Sequence, residues 1–161
     1  MRIRPAEPRD HDAVWAILEP VIRGGETYAL DRGLTREQAL AYWLAPAHDA
    51  FVAQDEAGEV VGTYYLRRNQ AGGGGHVCNC GYMTSGRATG KGVARLMCGH
   101  SLEHAKARGF EAMQFNFVVS TNLRAVALWQ AFGFEIVGRL PGAFRHPREG
   151  DVDALVMFRR L

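Results

Sequence analysis

A chain of 161 residues, 47% of them hydrophobic and 22% charged, is long enough to bury a substantial core and too apolar to stay disordered, so one globular domain over residues 1–161 is expected. Its 19 basic and 17 acidic side chains leave a net charge of +2, which excludes a general nucleic-acid or anionic-membrane binder and makes any preference for anions a local matter. Cys78, Cys80 and Cys98 make no disulfide framework, the opening "MRIRPAEPRD" lacks the apolar run of a signal peptide, and no stretch is long enough to cross a bilayer; a cytoplasmic location is expected.

Residues 2 to 5 read as a short edge strand. Asp10 or Asp12 then caps a helix with Val14, Ile17, Leu18, Val21 and Ile22 on one face, which Pro20 is expected to kink or end ahead of a turn at 24 to 26. Thr35 and Gln38 have capping-box spacing at the start of a second helix, which carries Leu40, Trp43 and Leu44 on one face and stops at Pro46. The runs 50 to 54 and 59 to 68, split by the turn "DEAG", predict an antiparallel hairpin, and "AGGGG" at 71 to 75 predicts a flexible loop. A strand over 76 to 84 leads into "SGRATGKGVARLM", after which Ala94, Met97, Cys98, Ser101, Leu102 and Ala105 form one helical stripe closed by Gly109. From 112 to 120, Met113, Phe115, Phe117 and Val119 alternate with Gln114, Asn116, Val118 and Ser120, the period of a strand. Thr121 or Asn122 caps a last helix with Ala125, Leu128, Trp129 and Phe132 on one face. "FEIVGRL" and "DVDALVMF" finish the chain as paired strands joined by the loop "PGAFRHPREG". This order of elements describes an α/β fold, a mixed sheet with helices on its faces.

The stretch from Ser85 to Met97 puts three glycines and three cationic side chains at the start of a helix. Unpaired N–H groups and the positive end of the helix dipole make that a natural seat for a phosphate. A P-loop needs four residues between its first glycine and the Gly-Lys pair, followed by Ser or Thr; here Gly86 and Gly90 enclose three, and Gly92 follows Lys91. A dinucleotide fingerprint needs Gly or Ala where Arg95 stands.

What the stretch does satisfy is Arg87-x-x-Gly90-x-Gly92 between a strand and a helix. With "NLRAVALWQAFGFEIVG" from Asn122 to Gly138, it resembles the GNAT superfamily of acetyl-CoA-dependent N-acetyltransferases. The second block is similar to the family's Asn-x-x-Ala-x-x-Leu-Tyr-x-x-x-Gly-Phe pattern at every defined position but one, and the order of elements agrees over nearly the whole chain. The resemblance implies a GNAT fold: a twisted mixed sheet of about seven strands flanked by about four helices and splayed between the fourth and fifth strands. It implies acetyl-CoA as co-substrate, with its pyrophosphate held by the amides of Ala88, Thr89, Gly90, Lys91, Gly92 and Val93, with charge from Arg87 and Lys91, and with Asn122 at the pantetheine or phosphate arm. The plain alternative is a tight strand-to-helix turn and a helix cap. A homodimer is what the family commonly forms.

Acetyl transfer needs a neutral amine, a donor for the oxyanion and a tolerable leaving thiolate. The family attacks directly within a ternary complex, and by resemblance a free backbone N–H near Tyr82 or Met83 polarises the acetyl carbonyl. Where the family often has a Tyr general acid this chain has Trp129, whose indole N–H donates a hydrogen bond but delivers no proton; Trp129 is read as core, and the thiolate leaves as an anion or takes its proton from water. Asn79 and Asn116 are the leading substrate-binding pair, their contexts "HVCNCGYM" and "FNFVVSTN" resembling fungal acetyltransferases that act on proline analogues such as azetidine-2-carboxylate. The alternative for each is a bond to a buried backbone group. In the loop 24 to 33, which by resemblance lines the acceptor pocket, Tyr28 is a substrate contact and Glu26 a possible base, while Arg145 and His146 are weaker candidates for closing the pocket. His76, Cys78 and Cys80 share a strand face, but same-face neighbours lie about 6.6 Å apart, too far to converge on zinc, and no metal is expected. The expected activity is acetylation of a small-molecule amine, an amino acid or its analogue, with no nucleic-acid or membrane partner. The alternatives are a protein, peptide or antibiotic amine, or a non-catalytic acyl-CoA sensor.

Overall fold

The computed structural model describes residues 1–161. Strands β1 (Arg2–Pro5), β2 (Asp49–Gln54), β3 (Val60–Arg68), β4 (Val77–Thr84), β5 (Ala112–Val119), β6 (Glu135–His146) and β7 (Gly150–Arg160) form one mixed sheet in the order β1-β2-β3-β4-β5-β7-β6. Helices α1 (His11–Gly24), α2 (Arg36–Trp43), α3 (Val93–Ala107) and α4 (Leu123–Ala131) cover its two faces. Only β4 and β5 run parallel, as the long crossover through α3 requires; all other neighbours are antiparallel.

The period of two along β3 divides the core. Tyr64 and Leu66 pack with Met97, Cys98 and Leu102 of α3 and Trp129 of α4, while Tyr65 packs with Val14 and Leu18 of α1 and Trp43 of α2. Trp43 is fully buried, and its indole N–H donates to Thr63 Oγ1 at 3.0 Å, so its polar atom is satisfied inside the core. No helix is long and apolar enough to cross a membrane.

Local chemistry explains most of the boundaries. Thr35 and Gln38 form the reciprocal capping box at the start of α2. Asp10 stands at the N-cap of α1, yet its carboxylate caps nothing in that helix: it accepts from both terminal nitrogens of Arg4 at 2.7 Å and from the Glu7 N–H at 2.8 Å, tying β1 to α1. Pro20 does not end α1, which runs on to Gly24 because Ile17, Leu18 and Ile22 bury on either side of it.

Two strands depart from their sequence pattern. The alternation in β5 breaks at a register shift between Phe115 and Val118, so Val118 is buried beside Val119 and Phe117 is not. Strand β6 extends through most of the expected loop, absorbing Pro141 and Gly142 in a shift between Leu140 and Phe144. Strands β4 and β5 pair only at Val77↔Ala112 and Cys78↔Met113. Beyond Cys78 they part, and the opening between them positions the site.

Candidate active site

A cavity of about 850 Å³ runs through the opening, from the start of α3 to the face carrying α1 and α2. Arg67, Arg95 and Arg124 line it, and no Asp or Glu does. Its field therefore favours anionic groups.

At the α3 end, Gly90 and Gly92 have φ of 79° and 80°, a region where a side chain would be strained. The amides of Ala88, Thr89 and Lys91 are consumed inside the turn, donating to the carbonyls of Ser85, Gly86 and Ala88. Those of Gly90, Gly92, Val93, Ala94 and Arg95 have no acceptor in the protein, because α3 starts at Gly92 without a side-chain cap. The free amides thus run further along the chain than expected, and those of Ala88, Thr89 and Lys91 drop out. The cations differ as well. Arg87 is 65% exposed and pairs with Glu59 at 3.6 Å, and neither it nor Lys91 lines the cavity. Arg95 and Arg124 do, the latter with Nη2 3.9 Å from where a Cβ on Gly90 would sit. Asn122 lines the cavity and also caps α4, accepting from the Ala125 N–H at 3.4 Å.

The direction of the β4 amides follows from two bonds: Ser85 N–H donates to Val61 O, and Asn69 N–H donates to Val77 O. Hydrogen-bonded pairs recur at every second residue, so Asn79, Gly81 and Met83 face β3. The Met83 N–H is therefore committed to the ladder and is no oxyanion donor, whereas that of Tyr82 points into the opening. There it donates to Tyr28 Oη at 2.7 Å, and the same hydroxyl donates to the Tyr82 carbonyl oxygen at 2.9 Å. Burial raises the Tyr28 hydroxyl well above the ordinary tyrosine pKa, so it stays protonated. Trp129 packs against Tyr82 and Phe115 with ring centroids 4.9 and 5.1 Å away, at once core and cavity wall.

On the α1 and α2 side, Asn79 and Asn116 both line the cavity. Asn79 Nδ2 donates to the Gln114 carbonyl oxygen at 2.9 Å, where a continued β4–β5 ladder would have placed a backbone bond. Asn116 accepts from Gln114 Nε2 at 2.9 Å and donates to Asn69 Oδ1 at 2.6 Å. Tyr65 lies over Gly81, where a Cβ would come within 2.6 Å of its ring.

Several expected residues lie elsewhere. Glu26 is no base at the cavity: it pairs with Arg148 beyond the end of β6 and does not line it. Arg145 pairs with Asp151 across the β6–β7 hairpin, and His146 is buried, taking the amides of Arg148 and Glu149; neither closes the cavity. Cys78 and Cys80 are buried with His76 exposed, and burial raises the Cys78 thiol to about 12. Sequence reasoning missed Arg67, Arg95 and Arg124. Arg95 lay inside the quoted glycine stretch and Arg124 inside the Asn122 block, so helical spacing alone marked both as near the turn.

A profile of the acetyltransferase (GNAT) family matches residues 14–134. The N-acetyltransferase aca1 of Schizosaccharomyces pombe is 30% identical over 151 residues, covering 84% of this chain and 72% of that protein. A GCN5-related N-acetyltransferase of known structure from Kribbella flavida is 40% identical, with a TM-score of 0.96 over 99% of this chain and 97% of its own. The fold is shared at 22% identity and a TM-score of 0.86 by a phosphinothricin acetyltransferase from Sinorhizobium meliloti solved in complex with AcCoA, over 99% of this chain and 88% of that one.

Proposed function

The chain belongs to the acetyltransferase (GNAT) family, and on that premise we propose that it moves the acetyl group of acetyl-CoA to the amine of an amino acid or amino-acid analogue. The observation that carries this reading is one continuous cavity, with unpaired helix amides at one end, a gap between strands in its middle and an acid-free chamber beyond. The free amides from Gly90 to Arg95, with Arg95 and Arg124 beside them, would hold the pyrophosphate. Bound acetyl-CoA supplies an activated thioester. The Tyr82 N–H would polarise its carbonyl once Tyr28 has moved off that amide. Asn79, Asn116 and Tyr28 would contact the acceptor. Polycationic acceptors such as aminoglycosides and polyamines would fit poorly, since the acceptor side of the cavity carries Arg67 and the cavity has no carboxylate to pair with them. The same reading takes residues 1–161 as one domain of a cytoplasmic homodimer.

Trp129 favours a second reading, a sensor that binds acyl-CoA without turnover, because its indole cannot act as the family's usual acid. Thiol release from acetyl-CoA, followed across amino acids, proline analogues, polyamines, aminoglycosides and lysine peptides, separates the two. The transferase releases thiol with amino-acid acceptors above all, whereas the sensor binds the thioester and releases none.

A further inference from the structure

The chamber beyond the strand gap holds a charge that nothing in the protein neutralises. Arg67 leaves β3 on the same face as Tyr65, opposite Asn79 in the β3–β4 register. Its Nε is buried without a hydrogen-bond partner, the one side-chain nitrogen or oxygen in the protein so placed. It joins no ion pair, and no carboxylate lines the cavity. Other partly buried arginines find acceptors within the fold: Arg4 grips Asp10 with both terminal nitrogens, and Arg159 donates to the Phe132 carbonyl oxygen. An unpaired buried guanidinium atom is costly to keep. A ligand that arrives with its own acceptors removes that cost.

The chemistry of that ligand follows from the surroundings. Asn79 and Asn116 are neutral amides, and the hydroxyls of Tyr42 and Tyr65 lie 3.2 Å apart in the same chamber. They add hydrogen bonds but no charge. A planar guanidinium fork in such a setting matches a carboxylate. In an α-amino acid one carbon separates carboxylate from amine, so an anchor at Arg67 leaves the amine free to turn toward the gap beside Tyr82. Resting on the transferase reading above, we propose that Arg67 is the receptor for the acceptor's carboxylate and restricts the enzyme to α-amino acids, ring-closed analogues included. Arg67 is then a specificity-determining residue that touches substrate but takes no part in proton transfer.

The test compares a panel of α-amino acids, proline and azetidine-2-carboxylate among them, each beside its carboxamide. Affinity is measured by calorimetry on the CoA-saturated full chain, and turnover by thiol release. At least one acid should bind and react ten- to hundredfold better than its carboxamide. Arg67→Gln should lower the acid's kcat/KM by at least tenfold, leave the carboxamide within about twofold, and leave acetyl-CoA affinity unchanged. Arg67→Lys, which keeps the charge without the fork, should fall between. The proposal is overturned if carboxamides serve as well as acids, if no acid binds, or if Arg67→Gln keeps the preference. Acids that bind through Arg67 without any thiol release would leave this subsite standing and remove the transferase reading; thiol release to amines regardless of a carboxylate would do the reverse. The acid-against-carboxamide comparison on the unaltered chain decides the matter should Arg67→Gln fail to fold.

Discussion

The hydroxyl of Tyr28 spans the amide and the carbonyl of Tyr82, at 2.7 and 2.9 Å, where a neighbouring strand would otherwise supply both bonds. A side chain from the loop between α1 and α2 thus completes β4 at the point where β5 has departed. Under the proposed function the same amide would polarise the acetyl carbonyl, so the two uses would compete. Tyr28→Phe should lower the stability of the unliganded protein by about 1–3 kcal/mol, the cost of leaving buried backbone groups unpaired. It should also tighten acetyl-CoA binding by about fivefold, since a competing hydrogen bond worth about 1 kcal/mol is gone. Thermal melts with and without acetyl-CoA read both effects, and weaker binding would mean that the hydroxyl itself helps to hold the thioester.

The anion end offers a contrast between two arginines. Arg124 lines the cavity beside Gly90, while Arg87 reaches outward to Glu59. Arg124→Ala should weaken acetyl-CoA binding about five- to tenfold and flatten its salt dependence, whereas Arg87→Ala should change it less than about twofold. Calorimetric titration at two salt concentrations is the check. Equal losses would place the phosphates nearer Arg87.

Much of this site can be read in the sequence, and the parts that cannot have identifiable causes. The Gly90 and Gly92 turn, the Asn122 cap and the stripe from Met97 to Ala105 are local patterns, and local patterns survive folding. Which amides stay free is not local in that sense, because the turn at Gly86–Ala88 consumes some of them. In "YYLRR" both arginines look like exposed charges; only the pairing of β3 with β4 turns Arg67 inward and leaves Arg68 outside. Glu26 met Arg148 from the far end of the chain, and no spacing rule joins such residues. The shift in β5 at Phe115 defeated a strict alternation for a similar reason: it is set by the pairing with β7.

Trp129 is 8% exposed and packed at a tilt against Tyr82 and Phe115, which assigns its bulk to packing. Its indole N–H donates to no protein acceptor. Trp129→Phe should therefore keep kcat within about threefold, because a thiol with a pKa near 8.5 leaves tolerably as an anion. Trp129→Ala should cost about 3–5 kcal/mol through the cavity it opens. A tenfold loss of kcat in a well-folded Trp129→Phe would show the indole donating to the departing sulfur.

Two histidines set an acid limit on stability. Burial lowers the pKa of His48 and of His100 below the ordinary 6.5, helped by the charge of Arg67 at His48 and of His104 at His100, while Tyr64 Oη lies 2.6 Å from His100 Nδ1. The unfolded chain then takes up protons before the folded one does. Their contribution is complete above 6.5 and is lost as the pH falls from there through the lowered values. Denaturation midpoints should drop over that window, and His100→Gln should flatten the slope. A midpoint that stayed level below pH 6.5 would contradict the burial of both rings.

Asn79 and Asn116 line the same cavity with different attachments, and that difference predicts different effects of removing them. Asn79 is 7% exposed and carries the Gln114 carbonyl across the first unpaired position of the splay, so Asn79→Ala strands a buried acceptor. The expected cost is about 1–3 kcal/mol. Asn116 bonds only to the side chains of Gln114 and Asn69, which water can satisfy in its absence. Asn116→Ala should cost less than about 1 kcal/mol and instead raise the KM of the preferred acceptor, with acetyl-CoA affinity unchanged. Chemical denaturation and steady-state kinetics on the two variants read the contrast. Full activity in Asn116→Ala would remove Asn116 from the acceptor site.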